Sequence, residues 1–482
     1  MKCNDMKKNT LTAAVINLGC KVNKYEADSM KDKLLMAGIR IVEPEEAADI
    51  YIVNTCSVTN MAQKKSRQML RRAKKMNPEA VIVAAGCYVN AEHEILKNED
   101  FIDIVVSNNC KKDIAQIIKD YIADCTADDY YVDINHTGKY EEMGNLDAAH
   151  LDHQRAYIKI QDGCNQFCSY CIIPYTRGRV RSRKPEHIIE EITRLAKEGV
   201  KEFVLTGIHI SSYGIDFGGD SLQYDEFMEH AGEDMEKRGQ RMGLGQLVKA
   251  IAKIPEVKRI RLGSLEPRII TEEFLDILAG SRKVCPHFHL SLQSACNDTL
   301  KRMNRKYTIE EFMEKCGLIR KYFDKPAVTT DVIVGFPGET EEEFAVTMDN
   351  LEKLKLYEIH VFKFSVREGT PAQKMPDQVA EDIKTKRSER LLELTKKQKK
   401  EYEASLKGYV DEVLIEERIE DREKLQKLKE VRLLESGNPS AEKEQMKEET
   451  LQYFTGHTKR YVKVKACSKD NIINQIVGVE ML

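Results

Sequence analysis

Three cysteines lie close together near the middle of the 482-residue chain, at Cys164, Cys168 and Cys171. Their CxxxCxxC spacing places three thiols (the central thiols) in one short loop, and each can ionise to the thiolate that binds metal. An iron–sulfur cluster of four irons is normally held by four cysteine thiolates, so three thiolates leave one iron open. Zinc sites usually show a second arm of paired ligands, and none follows here. The spacing therefore predicts an iron–sulfur site with one open position, in preference to structural zinc or three unrelated thiols.

The stretch around these thiols reads IQDGCNQFCSYCIIPYTRGRVRSR, over Ile160–Arg183. CxxxCxxC with an aromatic residue, Tyr170, before the last cysteine resembles the radical SAM enzymes. The resemblance implies that the central thiols are the catalytic ligands of a [4Fe-4S] cluster. Its open iron would bind S-adenosylmethionine (SAM), which one electron cleaves to a 5′-deoxyadenosyl radical.

A second set of cysteines lies at the ends of three predicted strands in the first hundred residues. Cys20, Cys56 and Cys87 (the N-terminal thiols) close the apolar stretches TAAVINL, DIYIVN and AVIVAAG. Such runs are typical of strands buried in parallel sheets, whose carboxyl ends share one ligand-binding edge. A single cysteine of this kind is usually a small core hydrophobe, but three at equivalent positions predict a second metal site. Cys110, beyond a fourth strand, is predicted to take no part.

Length and composition predict a globular protein of three domains. Hydrophobic residues make up 41% of the chain, and the formal net charge is −3. A charge so close to neutral gives no overall attraction to nucleic acid, so any basic surface must be local. Thirteen cysteines without an export signal predict a cytoplasmic protein with reduced thiols. No apolar stretch of about 18 residues occurs, so no membrane association is expected.

The order of predicted elements gives an α/β fold class. Residues 10–125 alternate four strands with helices over Tyr25–Ala37 and Asn60–Lys75, which predicts a doubly wound parallel-sheet domain. Residues 150–380 carry six strand–helix units, which predict a partial, TIM-like (β/α)6 barrel with its active site at the carboxyl ends of the strands. The predicted strands are Arg155–Gln161, Glu202–Thr206, Arg259–Gly263, Phe288–Leu292, Val328–Val334 and Glu358–Ser365.

Other segments are predicted to connect or extend these domains. Residues 111–155 are polar and poor in pattern, and residues 130–150 within them are the predicted linker. Residues 218–242 are acidic and irregular, as expected of a surface insertion. Residues 403–482 are predicted to form a small β-barrel interrupted by a charged, solvated helical insertion at 416–452. Its predicted strands are Gly408–Ile415, Gly456–Ala466 and Gln475–Val479.

Residues that follow the predicted barrel strands form the expected wall of a SAM pocket. Gly207 would let the cofactor approach the backbone closely. The same wall is predicted to include the polar residues His209, Ser264 and Gln293. Arg305, from a basic stretch, is the candidate partner for the SAM carboxylate.

Basic residues cluster beside the central thiols and in the last domain. Because an RNA backbone is anionic, such local clusters predict RNA contacts. The candidates are Arg177, Arg179, Arg181, Arg183, Lys459 and Arg460. The helical segment Lys64–Lys75 carries seven basic residues in twelve and suits either a solvated face or an RNA-facing patch.

The whole arrangement resembles the methylthiotransferases over nearly the full chain. The resemblance rests on Asn54–Thr59 (NTCSVT), on Gly86-Cys87-Tyr88, and on the stretch around the central thiols. Around the first cysteine, Asn17–Asn23 (NLGCKVN) is similar to the group that acts on N6-threonylcarbamoyladenosine at position 37 of tRNA. The isopentenyladenosine group typically shows YGCQMN there, and the ribosomal-protein group LGCPKN. The last domain resembles a TRAM domain, an RNA-binding module.

This resemblance implies two [4Fe-4S] clusters, SAM and a tRNA substrate. The N-terminal thiols would hold an auxiliary cluster that carries the sulfur to be inserted at C2 of the adenine. One SAM would give the methyl group, and a second would give the radical that removes the C2 hydrogen. A small electron-donor protein and a sulfur donor are implied as partners.

Three alternatives differ from this expectation. In the first two the chain modifies an aspartate of a ribosomal protein or isopentenyladenosine-37, and in the third it is a non-catalytic RNA-binding protein with structural metal sites. The LGCKVN stretch and the basic clusters weigh against the ribosomal protein. An inert metal site would need four ligands, and each set of thiols is one short.

Overall fold

The computed structural model describes residues 10–124, 130–134, 138–144, 146–148, 154–217, 242–426, 428–434 and 452–482. Residues 218–241 of the first predicted insertion and 435–451 of the second therefore lie outside the described residues. None of the helices in the described ranges combines the length and the apolar character that a membrane span requires.

A five-stranded parallel sheet forms the N-terminal domain, in the order β2-β1-β3-β4-β5. Every residue of β3 and β4 is buried, as expected of central strands covered on both faces. The predicted parallel α/β domain is confirmed. Its strands are β1 (Thr12–Asn17), β2 (Arg40–Ile41), β3 (Ile50–Thr55), β4 (Val81–Gly86) and β5 (Ile104–Val106). Its helices are α1 (Lys21–Met36), α2 (Asn60–Met76), α3 (Cys87–Ala91), α4 (His93–Lys97) and α5 (Ile114–Asp124).

Two details of this domain differ from the prediction. Helix α1 begins at Lys21, directly after the first N-terminal thiol, and not at Tyr25. Helix α5 lies before the predicted linker, in residues that the sequence analysis describes as poor in pattern. Its apolar residues recur at helical spacing and are buried in the core, so that description is wrong for this segment. These buried residues are Ile114, Ile117, Ile118, Tyr121 and Ile122.

Six parallel strands build the central domain as two three-stranded ladders, β6-β9-β10 and β11-β12-β13. Isolated parallel bridges join the ladders, at Ile260 to Val284 and Leu265 to Leu290. The predicted partial barrel is confirmed. Its strands are β6 (Arg155–Lys159), β9 (Glu202–Thr206), β10 (Arg259–Leu262), β11 (His287–His289), β12 (Ala327–Val334) and β13 (Glu358–Lys363). Its helices are α7 (Pro185–Lys197), α8 (Leu244–Ala252), α9 (Glu272–Gly280), α10 (Asn297–Arg302), α11 (Ile309–Tyr322) and α12 (Glu341–Leu354).

A two-stranded antiparallel ladder closes the loop that carries the central thiols (the cluster loop, residues 163–180). The predicted strand Arg155–Gln161 ends at Lys159, and β7 (Gln161–Asp162) pairs with β8 (Arg181–Ser182) beyond the loop. The short helix α6 (Ile173–Thr176) lies within it. At Gly163, φ is 71° and an added Cβ would lie 1.8 Å from the carbonyl oxygen of Arg179. Only glycine therefore fits where the loop begins.

A closed barrel forms the last domain, in the order β14-β16-β17-β15-β18. The predicted small β-barrel is confirmed, and α13 (Glu381–Ser405) leads into it. Its elements are β14 (Val410–Arg418), α14 (Arg422–Gln426), β15 (Lys429–Leu433), β16 (Gln452–Thr458), β17 (Lys463–Ser468) and β18 (Ile476–Met481).

Two predictions about this barrel are corrected by its topology. Part of the predicted helical insertion is strand, because β14 extends to Arg418 and β15 pairs with β17 and β18. The predicted single strand Gly456–Ala466 is a hairpin of β16 and β17. At its turn, Tyr461 takes a left-handed conformation with φ of 66°. There its ring stacks on His457 and lies beside the guanidinium groups of Arg155 and Arg261 in the central barrel.

Candidate active site

The N-terminal thiols converge at one edge of the parallel sheet. Thr55 pairs in register with Gly86, so Cys56 and Cys87 follow adjacent strands at the same level. Cys20 caps α1 after the neighbouring strand. A Cβ added to Gly19 would lie 2.9 Å from Cys56 Sγ, which shows how closely the first two segments approach. The tertiary structure thus brings together three thiols that are 36 and then 31 residues apart in sequence.

Burial favours the protonated form of two of these thiols, Cys20 and Cys56. Burial, followed by the neighbouring thiols, raises the pKa of Cys56 to about 11. Cys20 keeps exposed surface, yet desolvation by the surrounding protein raises its pKa, and the positive charge of Arg177 opposes this shift. A metal cluster bound here would displace these protons, as metal ligation by thiolates requires.

The central thiols lie in the wall of a cavity of about 320 Å³. Arg305 Nη1 donates to Cys168 Sγ at 3.3 Å, and the backbone N–H of Gln166 donates to Cys164 Sγ at 3.5 Å. Burial, with a smaller contribution from Cys168, raises the pKa of Cys164 to about 12, against the opposing charge of Arg305. Within the described residues, all six thiols of the two sets are free of disulfide bonds. The donor set therefore fits a cluster held by three thiolates.

Four of the five residues predicted to contact SAM line this cavity with the central thiols. They are His209, Ser264, Gln293 and Arg305. Gly207 does not line it. A Cβ at Gly207 would lie 2.9 Å from atoms of Gln161 and Ile210. A side chain there would clash within the barrel, so packing explains this glycine. The predicted reason was a close approach of the cofactor to the backbone.

Arg305 was predicted to bind the SAM carboxylate, and each of its guanidinium nitrogens has a protein partner. Besides Cys168, it donates from Nη2 to the carbonyl oxygen of Ser291 at 2.9 Å and from Nε to Tyr307 Oη at 2.8 Å. Burial opposes its charge, but Tyr307 and Cys168 outweigh burial and raise the pKa of Arg305 well above the ordinary value. Its contacts therefore fix one central thiol to the end of the fourth barrel strand.

His209 is held as a neutral imidazole in the cavity wall. Its Nδ1 lies 2.7 Å from Ser212 Oγ, and its backbone N–H donates to Gln161 Oε1 at 2.8 Å. Burial, then the charges of Arg305 and Arg268, lower the pKa of His209 to about 3. A neutral ring can pack against a cofactor without adding positive charge.

Gln293 takes a left-handed backbone conformation, with φ of 74°. Its N–H donates to the carbonyl oxygen of Asp331 at 2.8 Å, and its own carbonyl oxygen accepts from the N–H of Ile333 at 2.8 Å. Residues other than glycine seldom adopt this conformation, and such strain is concentrated at functional sites. Glu266, which follows β10, and Asp331, within β12, also line the cavity.

Arg177, predicted to contact RNA, is instead buried against Cys87, one of the N-terminal thiols. Its Nε donates to Cys87 Sγ at 3.1 Å, and its Nη1 donates to Glu26 Oε1 at 2.8 Å and to Asp162 Oδ2 at 3.1 Å. Lys111 and Lys159 also bind Glu26, at 2.6 and 2.7 Å. Burial opposes ionisation of Glu26, but the attraction of these three cations outweighs it and holds the pKa of this carboxyl well below its usual range.

Three more of the predicted RNA contacts are also buried, which is a correction to their expected position. Arg181 Nη1 donates to the carbonyl oxygen of Arg177 at 2.8 Å, and Arg183 pairs with Glu142 and Glu191. Arg460 pairs with Asp411 at 2.8 Å. Burial of a charged side chain needs compensating partners, and these contacts supply them, although Arg181 Nε has no hydrogen-bond partner among the described residues.

Two of the predicted RNA contacts keep exposed side chains. The guanidinium of Arg179 lies 4.4 Å from the centroid of the Phe167 ring, at the outer side of the cluster loop. Tyr175, 45% exposed, meets the same Phe167 ring edge-on at 6.2 Å. Lys459 is partly exposed and pairs with Glu412 at 2.8 Å.

Models of two known families match the two thiol-bearing domains. The radical SAM superfamily matches residues 158–351, which contain the central thiols. The family described as "Uncharacterized protein family UPF0004" matches residues 12–107, which contain the N-terminal thiols.

Several curated proteins are similar to this chain over most of its length. The threonylcarbamoyladenosine tRNA methylthiotransferase MtaB of Bacillus subtilis is 38% identical, over 98% of this chain and 94% of its own length. The chain belongs to the radical SAM tRNA methylthiotransferase family. Another methylthiotransferase of that name, from Aquifex aeolicus, is 35% identical over 83% of this chain and 91% of its own length. The tRNA-2-methylthio-N(6)-dimethylallyladenosine synthase of Thermoanaerobacter sp. is also 35% identical, over 83% of this chain and 80% of its own length.

A solved structure shows the same fold at low sequence identity. The radical SAM methyltransferase TsrM of Kitasatospora setae matches with a TM-score of 0.53 and 16% identity, over 76% of this chain and 77% of its own. Membership of the methylthiotransferase family implies a [4Fe-4S] cluster and SAM. Three free thiols in one loop line a cavity together with polar side chains, and this donor set fits these cofactors.

Proposed function

We propose that this protein methylthiolates C2 of N6-threonylcarbamoyladenosine at position 37 of tRNA, with two [4Fe-4S] clusters and SAM. The observation that carries the proposal is the contact of Arg177 with Cys87, which links the cluster loop to the second set of three thiols. The names of the Bacillus and Aquifex relatives and the Asn17–Asn23 stretch support this substrate.

The two sets of thiols have different roles in this proposal. The central thiols would hold the cluster that binds SAM, and the N-terminal thiols would hold the auxiliary cluster. When bound, the clusters and SAM supply the one-electron chemistry and the sulfur and methyl groups. The C2–H bond of adenine does not yield to acid–base catalysis, so the reaction needs no pair of catalytic carboxylates.

The chain itself positions and shields these groups. Arg305 fixes Cys168 against the fourth barrel strand, and Arg177 fixes the cluster loop against Cys87. Gly207 was predicted to contact SAM, and we propose that it acts through packing beneath His209. Ser264 and Gln293 present polar groups to the cavity and are the proposed contacts for SAM.

The reaction also consumes an electron and a sulfur atom. We therefore propose a small electron-donor protein and a separate sulfur donor as partners, acting in the cytoplasm where tRNA is found. Of the predicted RNA contacts, Arg179 and Lys459 keep exposed surface and are the proposed RNA-binding residues.

Mass spectrometry of tRNA nucleosides tests this function directly. Cells without the gene should lose 2-methylthio-N6-threonylcarbamoyladenosine and accumulate its precursor without the methylthio group. A plasmid with the wild-type gene should restore the nucleoside, and the Cys164→Ala gene should not. Loss of the methylthio form of isopentenyladenosine, or an unchanged tRNA profile with a changed ribosomal-protein aspartate, would overturn the proposed substrate.

A further inference from the structure

Helix α2 carries a run of basic residues that the proposed function does not use. Within Lys64–Lys75, seven of the twelve residues are basic and none is acidic. The sequence leaves open whether this segment is an ordinary solvated face or an RNA contact. Its exposure, its ion pairs and its position beside the cavity decide between the two.

Helical periodicity separates these seven cations into two groups. The buried residues Ser66, Leu70 and Ala73 define the inner face of α2. Four of the cations fall within an arc of about 100° on the outer side, at 3.6 residues per turn. All four are exposed, and together they are called the basic face: Lys64, Lys65, Arg72 and Lys75.

The two groups also differ in their ion pairs. Arg67 pairs with Glu99, Arg71 lies 4.0 Å from the same carboxylate, and Lys74 lies 3.6 Å from Asp103. Every ion pair that α2 forms in the described part of the chain involves one of these three cations. The basic face therefore presents four positive charges without a carboxylate partner among the described residues.

Helix α13, which is also long and charged, differs from α2 in how its cations are compensated. It mixes acidic with basic residues along its length, and several of its cations pair with acids of neighbouring elements. Lys397 lies 2.7 Å from Glu352, and Lys399 lies 2.7 Å from Glu358. On α2, by contrast, like charges three and four residues apart repel each other and destabilise the helix. An anionic partner would offset this repulsion.

The start of α2 lies where the cavity of the central thiols opens. Val58 and Thr59, just before the helix, line this cavity, and Val58 is 52% exposed. Thr59 caps the helix by accepting from the N–H of Ala62 at 3.1 Å. Arg367, also in the cavity wall, donates to Asn60 Oδ1 at 2.6 Å. The first turn of α2 is therefore fixed to the central domain.

The helix then leads away from the cavity. Asn77, at its other end, donates from Nδ2 to the carbonyl oxygen of Ala48 at 2.9 Å, just before β3 begins. At 1.5 Å per residue, the basic face extends about 16 Å along the outside of the N-terminal sheet. A nucleic acid with one base in the cavity has further phosphates beyond that base, at regular spacing along its backbone. The basic face lies in the position to meet them.

A row of unpaired cations suits a nucleic-acid backbone better than an acidic protein. Protein interfaces bury an apolar centre, often aromatic, inside a polar rim. Met61 is the one large apolar side chain of α2 that is exposed, at 71%, and it lies in the first turn, beside the cavity. Contacts of Lys and Arg with phosphates need only positive charge at suitable spacing.

We propose, on the basis of the proposed function, that the basic face of α2 binds the phosphate backbone of the anticodon stem of the tRNA. Its four cations hold the stem along the N-terminal domain while the target adenosine of the loop enters the cavity. They contribute affinity and orientation and do not touch the reacting atoms. Contacts with phosphates carry no sequence information, so this surface serves tRNAs of different stem sequence equally.

Fluorescence anisotropy with the full, cluster-loaded chain tests this contact. The probes are an anticodon stem-loop RNA with threonylcarbamoyladenosine at position 37 and an oligonucleotide of the loop sequence without the stem. The variant carries Lys64→Gln, Lys65→Gln, Arg72→Gln and Lys75→Gln. Its slope of log affinity against log salt should be lower by about three for the stem-loop, since each phosphate contact contributes about 0.7–0.9. The slope for the loop oligonucleotide should not change.

The matched control makes the same change of net charge elsewhere on the surface. It carries glutamine at four exposed lysines on or directly after the outer helices α7, α8 and α11, and should keep the wild-type slope. These lysines are Lys197, Lys249, Lys253 and Lys321. A charge-preserving variant with Lys64→Arg, Lys65→Arg, Arg72→Lys and Lys75→Arg should also keep the slope. Circular dichroism and iron content verify that each protein is folded and loaded.

Methylthiolation assays separate binding from chemistry. The glutamine variant should show a raised KM for the stem-loop and an unchanged kcat, because the basic face orients the RNA at a distance from the reacting atoms. A slope for this variant that equals that of wild type, or that of the control, overturns the contact. An unchanged slope together with slower reduction by an acidic electron-donor protein assigns the face to a protein partner and overturns the RNA contact.

Failure of the proposed function gives a different result. Wild-type protein that methylthiolates only a stem-loop with isopentenyladenosine, or neither RNA, overturns the proposed function. Wild-type protein that methylthiolates the threonylcarbamoyladenosine stem-loop, with equal salt slopes in wild type and the glutamine variant, overturns the contact of the basic face alone.

Discussion

The Nε atom of Arg177 donates to Cys87 Sγ at 3.1 Å, so a guanidinium from the cluster loop contacts a thiol of the other set. The same guanidinium bonds Glu26, Asp162 and Asn23 and is fully buried. Burial opposes the charge of Arg177, but Cys87, Glu26 and Asp162 outweigh it and raise the pKa of this side chain well above the ordinary value. A permanent positive charge therefore lies beside Cys87, at the proposed auxiliary-cluster site.

Arg177→Gln should strongly destabilise the fold. The change leaves the carboxylates of Glu26 and Asp162 buried with less compensation, and breaking a buried ion pair costs about 3–5 kcal/mol. Anaerobic denaturant unfolding measures the loss. Arg179→Gln, an exposed change two residues away, should stay within about 0.5 kcal/mol of wild type. Equal effects of the two changes would contradict this role of Arg177.

Cys164→Ala should abolish SAM cleavage and halve the iron content, from about eight to about four atoms per chain. Elemental analysis gives the iron content, and the yield of 5′-deoxyadenosine under reducing conditions gives the cleavage. Cys110→Ala is the control, since Cys110 lies beside Ser107 and belongs to neither set of thiols. An active Cys164→Ala protein would exclude the radical mechanism.

Cys20→Ala should remove the auxiliary cluster and leave the cluster at the central thiols in place. Iron content should again fall by about four atoms per chain, but cleavage of SAM at the central thiols should continue. Methylthiolation of the RNA should stop, because no auxiliary site would remain to carry the sulfur. Product analysis by mass spectrometry alongside 5′-deoxyadenosine measures both. Loss of SAM cleavage together with methylthiolation would show that the two sites are not independent.

Arg179→Ala should weaken binding of tRNA uniformly across sequences. Its exposed guanidinium over Phe167 is placed to meet a phosphate or a base at the outer side of the cluster loop. Removing one phosphate contact lowers the slope of log affinity against log salt by about one. Titrations at several salt concentrations measure the slope, with Arg194→Ala on α7 as the control. An unchanged slope would remove Arg179 from the RNA contacts.

Stability should depend on pH through His209. The pKa of His209 is lowered to about 3 by burial, whereas the unfolded residue titrates near 6.5. The contribution of neutral His209 to the free energy of unfolding is therefore complete above pH 6.5. It is lost as the pH falls toward 3, because the imidazole of the unfolded state binds a proton at a higher pH than that of the folded state. Between pH 7 and pH 5, the free energy of unfolding should fall by about 2 kcal/mol more in wild type than in His209→Gln. Equal losses in the two apoproteins would show that His209 is not buried as described.

The sequence predicts the fold correctly where the hydrophobic pattern of a segment matches its burial in the structure. Continuous apolar runs predict the parallel strands, and the carboxyl ends of these runs predict the sheet edge at which the N-terminal thiols meet. The strand β15 (Lys429–Leu433) was missed because most of its residues are charged and the barrel, not the segment, supplies its pairing. Helix α5 was missed because polar neighbours obscured its five buried apolar residues.

The sequence by itself determined which thiols can act together, because ligand spacing in one loop and equivalent strand ends are local properties. Only the tertiary structure decided the role of each arginine. Arg177 and Arg179 lie two residues apart in one basic stretch, yet one is buried and the other exposed. Burial of Arg177 depends on Glu26, 151 residues away in sequence, and on the thiol of Cys87. A buried charge is stable only with such partners, and no short stretch of sequence contains them.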